Sequence, residues 1–132
     1  MTADLSFVTY CRARYLTPDK NGETRADRNA RFGQDEVTPE WSVPDGGQYL
    51  FDWFEEISSG HNRVSNDRIY RITWVEFAAW QQVSGNVVYP HEFAILRAMD
   101  NAYCEALEGE LQYQKVRAQE EAAKAQAMKN KG

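Results

Sequence analysis

Hydrophobic and polar positions fall into their clearest pattern from Ile72 to Tyr103, ITWVEFAAWQQVSGNVVYPHEFAILRAMDNAY, and predict helix, turn, helix. Thr73 stands at the expected cap of the first helix and Glu76 follows three residues later. Each side chain can therefore take a backbone N–H that a helix start leaves unpaired. Ile72 and Phe77 flank that cap at the spacing of a hydrophobic staple. Trp74, Phe77, Trp80 and Val83 supply apolar area, and Ser84-Gly85-Asn86 ends the helix with a residue that tolerates positive φ. Pro90 suits the first position of the next helix, where its missing N–H costs nothing, and Glu92 places negative charge at the positive end of the helix dipole.

Upstream, Tyr49, Leu50, Trp53, Phe54 and Ile57 recur at helical spacing and leave Asp52, Glu55 and Glu56 on the other side. Asp45 and Gln48 are spaced as a capping box for this helix, and Ser58-Ser59-Gly60 ends it. The N-terminal segment is ambiguous: Leu5, Val8, Arg12 and Tyr15 suit a helix face, whereas Phe7, Thr9 and Cys11 alternate as in a strand, and the helix is favoured. Residues 17–44 are polar and mixed in charge, with Phe32, Val37, Trp41 and Val43 as the available anchors. A connection of that length reads as a mobile linker, a functional loop or an arm that folds on a partner. Within it Arg25, Arg28 and Arg31 recur at helical spacing; interleaved with Asp19 and Asp27 they read as a solvated charge face, with a small anion-binding face as the alternative. Residues 61–71 form a polar loop; Ile69 to Ile72 has an extended look but no evident strand partner.

Counting at 100° per residue, Phe93, Leu96, Asp100, Tyr103, Leu107, Leu111, Gln114, Ala118, Ala122 and Ala125 share one stripe. One helix from Pro90 to about Met128 is predicted, Gly109 notwithstanding. Its second half offers mainly alanines and reads as an exposed tail. Pairing through the alanine seam, a second copy of the chain included, is the alternative. The expected fold is all-α: a small domain of three to four helices with a long C-terminal helix and a long polar N-terminal loop. Residues 1–44 would form an N-terminal helix and flexible arm, 45–109 the helical core and 110–132 the helical tail.

Composition narrows the function classes. With 132 residues and a net charge of −5, the chain has the size of one modest domain; phosphate contacts need clustered Lys and Arg, so the acidic balance argues against nucleic acid, although a local basic patch can survive an acidic total. No apolar run approaches bilayer thickness and the first residues lack the order of a signal peptide, so no membrane role is expected and the cytoplasm is the expected compartment. Cys11 and Cys104 fit a reducing environment as two thiols, although two cysteines can also form one bridge.

Candidate chemistry is sparse. Cys11, Cys104, His61 and His91 show no metal-ligand spacing, and no catalytic motif occurs, so neither metal, cofactor nor enzymatic activity is expected. Asp100 interrupts the apolar stripe, where an ionised carboxylate is costly without a partner. A structural role follows, with donors expected from a helix N-terminus, an indole N–H or an arginine such as Arg68 or Arg71; Thr73 and Glu76 are the other structural polar pair.

The ordered set Gly47-x-Tyr49-Leu50-x-x-Trp53-Phe54-x-x-Ile57-Ser58-Ser59-Gly60, Thr73-x-x-Glu76-x-x-x-Trp80, Gly85 and Pro90-x-Glu92-x-x-x-Leu96-x-x-Met99-Asp100-x-x-Tyr103 resembles the tail assembly chaperones of long-tailed (siphovirus-type) bacteriophages and prophages. It covers about residues 44–107. The resemblance implies a helical, non-enzymatic factor in the cytoplasm of the infected cell that binds the tape-measure protein, and in some cases tail-tube subunits, and is absent from the finished virion. Apolar tape-measure surface must be covered before the tube forms, and an aromatic groove can do so by helix-in-groove contacts. On that expectation Tyr49, Trp53, Phe54 and Trp74 are the candidate partner-binding residues, and Ile57, Phe77, Trp80, Leu96, Met99 and Tyr103 supply the core. Two other classes stay open: a phage-encoded inhibitor of a host defence protein acting through the acidic faces Asp52, Glu55 and Glu56, and a minor structural protein of the virion.

Overall fold

The computed structural model describes residues 1–131; residue 132, the last of the expected tail, lies outside the described residues. The described residues are mostly helical and end in a long C-terminal helix, as expected, but form five α-helices rather than three to four: α1 (Thr2–Tyr15), α2 (Arg25–Arg31), α3 (Gln48–Ser59), α4 (Trp74–Ser84) and α5 (Pro90–Lys131). A 3-10 turn spans Asp35–Val37, and a hairpin of two short strands, β1 (Val64–Ser65) and β2 (Arg68–Ile69), departs from the all-α expectation. The extended piece at Ile69 does have a partner: Val64 pairs with Ile69 and Ser65 with Arg68 across the two-residue turn Asn66-Asp67. Both turn residues have positive φ, as a twisted two-residue hairpin demands, and Asn and Asp tolerate that conformation better than most side chains. Two-residue strands are too short for alternation to reveal them.

The N-terminal segment is helix. Leu5 and Val8 of α1 pack in one cluster with Leu50, Phe51, Phe54 and Ile57 of α3, Phe77 of α4, and Leu96 and Met99 of α5. The core therefore draws on residues both before and after Pro44, and α1 lies along α5. Close approach explains Gly47: a Cβ there would sit 3.3 Å from Leu5 and 3.1 Å from Pro44. It also explains why the expected capping box at Asp45 and Gln48 does not form. The Gly47 N–H closes a turn on the Pro44 carbonyl, α3 starts one residue later with Gly47 as its cap, and the Gln48 amide donates forward to Asp52 instead.

The polar stretch contains α2, capped by Thr24 with Asp27 completing a capping box. Its three arginines do not share a solvated face. Arg25 turns inward, with Nε 2.9 Å from the buried carboxylate of Glu110 and its guanidinium 3.6 Å from the Tyr113 ring centroid, both on α5. Burial pushes the Glu110 carboxyl above its ordinary range and Arg25 pulls against that shift. Arg28 and Arg31 lie over Phe32, and Arg31 also pairs with Glu23. Of the expected anchors, Trp41 and Val43 pack on the core, Trp41 beside Tyr15, whereas Phe32 and Val37 are exposed.

The 42 residues of α5 make a rod roughly 63 Å long. Its inner half buries Leu96, Met99, Asp100, Cys104, Leu107 and Glu110, and from Gln119 onward every described residue is exposed. Cys11 and Cys104 are buried free thiols, and burial raises the pKa of each.

Asp100 is the buried polar centre of the fold. One carboxylate oxygen pairs with Nη2 of Arg63 and the other accepts the Ile72 N–H at 3.0 Å. The cation is Arg63, next to β1, not Arg68 or Arg71: the hairpin turn carries Arg68 outward into solvent, and Arg71 is exposed as well. Arg63 also donates to Ser58 Oγ at 3.1 Å and lies over Tyr103 at 4.5 Å, so one guanidinium joins the end of α3, the hairpin and α5. Removing one partner strands the other charge, so Asp100→Ala is expected to destabilise the protein by about 3–5 kcal/mol. The double replacement Asp100→Leu with Arg63→Met is expected to recover much of that loss in a chemical melt. Single variants melting like the parent would show that the pair is not buried.

Candidate functional site

Of the described helices with a core to pack against, α4 makes the least use of it. Apolar residues occur on every side of its wheel, yet only Phe77 is buried. Its start is fixed by side chains: Thr73 Oγ1 accepts the Glu76 N–H at 3.2 Å and Glu76 accepts the Thr73 N–H at 3.0 Å. Glu76 also faces His61 at 2.8 Å. The Thr73 N–H, with His61 adding to it, holds the Glu76 carboxyl below its ordinary range. Its end is fixed by Gly85, whose φ of 76° is the left-handed conformation that closes a helix and whose N–H returns to Gln81. Between these stops Trp74 is 66% exposed, Val75 77% and Val83 89%, and Val87 and Tyr89 continue the exposed apolar run into the next turn. A large apolar surface left in water marks a site of interaction.

The four aromatic residues singled out from the sequence do not form one surface. Phe54 is only 1% exposed and meets Tyr103 edge-on at 6.0 Å; it is core and offers nothing to a partner. The reason is register: Phe54 shares the inward side of α3 with Leu50 and Ile57, whereas Tyr49 and Trp53 lie at its edge. Tyr49 is exposed and meets Trp53 edge-on at 5.1 Å, and half-buried Trp53 meets Trp80 of α4 at 5.7 Å. Trp74 stands apart from this row. It leans on Phe93 of α5, with the Arg97 guanidinium 5.2 Å from its ring. Tyr49, Trp53 and Trp80 therefore line the seam between α3 and α4, and Trp74 caps the opposite, α5 side of α4.

Glu92 fixes the floor of this region, a role the sequence reading missed when it assigned only a dipole effect. At the third position of α5 it reaches back to the Tyr89 N–H at 2.9 Å, the carboxylate half of a capping box, and it accepts the Tyr49 hydroxyl at 2.7 Å. The Tyr89 N–H, then the Tyr49 hydroxyl, hold the Glu92 carboxyl below its ordinary range, and the same bond raises the Tyr49 phenol. The exposure of Val75 and Val83 was likewise not legible, because a helix apolar on all sides looks buried until its neighbours are known; Val87 and Tyr89 lie in the connection that follows α4. Among the described residues no group of His, Cys, Asp or Glu is placed to hold a metal, and no helix is long and apolar enough to cross a membrane.

A family model described as phage tail assembly chaperone matches residues 33–105, more than half of the chain. The matched span runs from just past α2 through α3, the hairpin and α4 to Glu105 of α5, and so contains the whole exposed apolar region. No curated protein and no solved structure matches the chain.

Glu92 makes the anchoring of this region sensitive to acid. Its folded-state pKa lies below the unfolded value, so its contribution is present above the unfolded pKa and is lost as pH falls through the folded one. Lowering the pH from about 6 to about 3 should therefore depress the melting temperature less in Glu92→Gln than in the parent. Equal depression in both proteins would count against the Tyr49–Glu92–Tyr89 linkage.

Proposed function

The chain belongs to the phage tail assembly chaperone family, and from that we propose that it binds the tape-measure protein in the cytoplasm of the infected cell and keeps it soluble until the tail tube forms around it. The family match carries the reading, and the exposure of α4 supports it. A chaperone for a long helical client needs apolar surface held on a folded frame, so that the client's apolar stripe can be covered without the chaperone unfolding. Trp74, Val75 and Val83 supply such surface on a helix whose two ends are pinned, and Tyr49 and Trp53 extend it onto α3. Phe54 leaves the proposed contact set because it is core.

Co-expression should raise the soluble yield of the tape-measure protein. Trp74→Ala is expected to weaken the complex by about 2 kcal/mol, as loss of an aromatic anchor does, with little change in the protein's own stability. Phe54→Ala should do the reverse first, costing about 3–5 kcal/mol of folding stability. A well-folded protein that leaves tape-measure solubility unchanged, and is recovered on a host defence protein instead, would overturn the chaperone reading.

A further inference from the structure

The helices α3 and α4 run antiparallel where they meet: His61, just past the end of α3, faces Glu76 in the first turn of α4, and Trp53, nearer the start of α3, meets Trp80 further along α4. Trp53 and Trp80 touch edge-on at 5.7 Å between them and form the floor of the seam. Helical spacing decides what stands on its two banks. On α3, Tyr49, Asp52 and Glu56 recur at i, i+3 and i+7 beside Trp53, all exposed. On α4, Val75, Ala79 and Val83 recur at i, i+4 and i+8, all exposed. The exposed edge of α3 is thus acidic, and that of α4 is apolar apart from Glu76, which lies between Val83 and Trp80 on the wheel.

The structure also separates three carboxylates that look equivalent in the sequence. Glu55 points to the far side of α3, where Arg12 of α1 lies 3.9 Å away. Asp52 takes only a neutral hydrogen bond from Gln48, and among the described residues neither Asp52 nor Glu56 has a cationic partner. The apolar bank supplies none either: the single charged residue of α4 is Glu76, already bound to Thr73 and His61. The seam therefore presents two free negative charges along one edge of an apolar strip.

We propose that this seam is the docking channel for one amphipathic helix of the client, lying with its apolar stripe on Val75, Ala79, Val83 and the Trp53–Trp80 floor and with Lys or Arg on the margin that faces Asp52 and Glu56. The inference rests on the chaperone reading for the identity of the client, and the complementarity of the two banks sets its chemistry. Like charge opposite Asp52 and Glu56 costs affinity, so the same edge rejects acidic helices and fixes which way round a client helix lies.

The test uses two synthetic amphipathic helices of about 18 residues with the same leucine stripe, one with lysine and one with glutamate on its polar face. Binding to the full chain is followed by tryptophan fluorescence and calorimetry. The lysine peptide should bind at least about tenfold more tightly than its glutamate twin, and Asp52→Lys with Glu56→Lys should remove about tenfold or more of that affinity. Glu120→Lys with Glu121→Lys, on the exposed end of α5, changes net charge equally and should leave the affinity nearly unchanged. Val83→Asp should weaken both peptides. Melting curves establish that each variant is folded. Equal binding of the twins, or equal loss in the two charge-reversed proteins, overturns the channel. Co-expression with the tape-measure protein judges the chaperone reading separately: if the parent solubilises its client and the Asp52/Glu56 variant does so equally well, the channel falls while that reading stands.

Discussion

One buried charge pair fixes how the pieces of this protein meet. Asp100 sits on the inward face of α5 among Leu96, Met99 and Leu107, where neither charge of an unpaired ion would be tolerated. Its two oxygens are satisfied from two directions, by Arg63 ahead of the hairpin and by the backbone N–H of Ile72 behind it. The hairpin exists within that constraint. Its tight turn brings residues 63 and 72 to the same carboxylate, and the Tyr70 N–H on the Arg63 carbonyl at 2.8 Å ties the two arms together just above it. Once Ile72 is held, the capped start of α4 is held as well, because Thr73 follows directly.

This arrangement explains how α4 can be so exposed and yet ordered. A helix normally gains its stability from burying one face, since a short helix in water is marginal. Here the ends do more of that work: a capping box and His61 at the start, a left-handed glycine at the finish, and Phe77 and Trp80 as side anchors. The remaining apolar positions face solvent. The same division recurs in α5, whose inner half is core while the outer half projects into solvent, held near its middle by Arg25 on Glu110 and Tyr113 and by Arg117 near Asp19.

The carboxylates differ in what holds them. Carboxylates bonded within the fold, at Glu76, Glu92 and Asp100, orient elements, whereas Asp52 and Glu56 on the exposed side of α3 have no cationic partner among the described residues.

Local signals in the sequence were sufficient for α4 and α5, because their stops are chemical: Thr73 with Glu76, Gly85, and Pro90 act within one turn and need no distant neighbour. The same locality made the family resemblance legible from residues 44–107, and a family match over residues 33–105 agrees with it. That Asp100 needed a partner was also legible, since burial of a charge on an apolar stripe has one physical remedy. Which arginine answered was not, because Arg63, Arg68 and Arg71 differ only in where a two-residue turn points them. Tertiary structure alone decided that Phe54 is core while Trp74 is surface, that Arg25 turns inward to Glu110, and that among the described residues Glu55 meets a cation while Asp52 and Glu56 do not. Each depends on which faces of two helices meet, and a helix apolar on several sides carries no internal sign of which side its neighbours will cover.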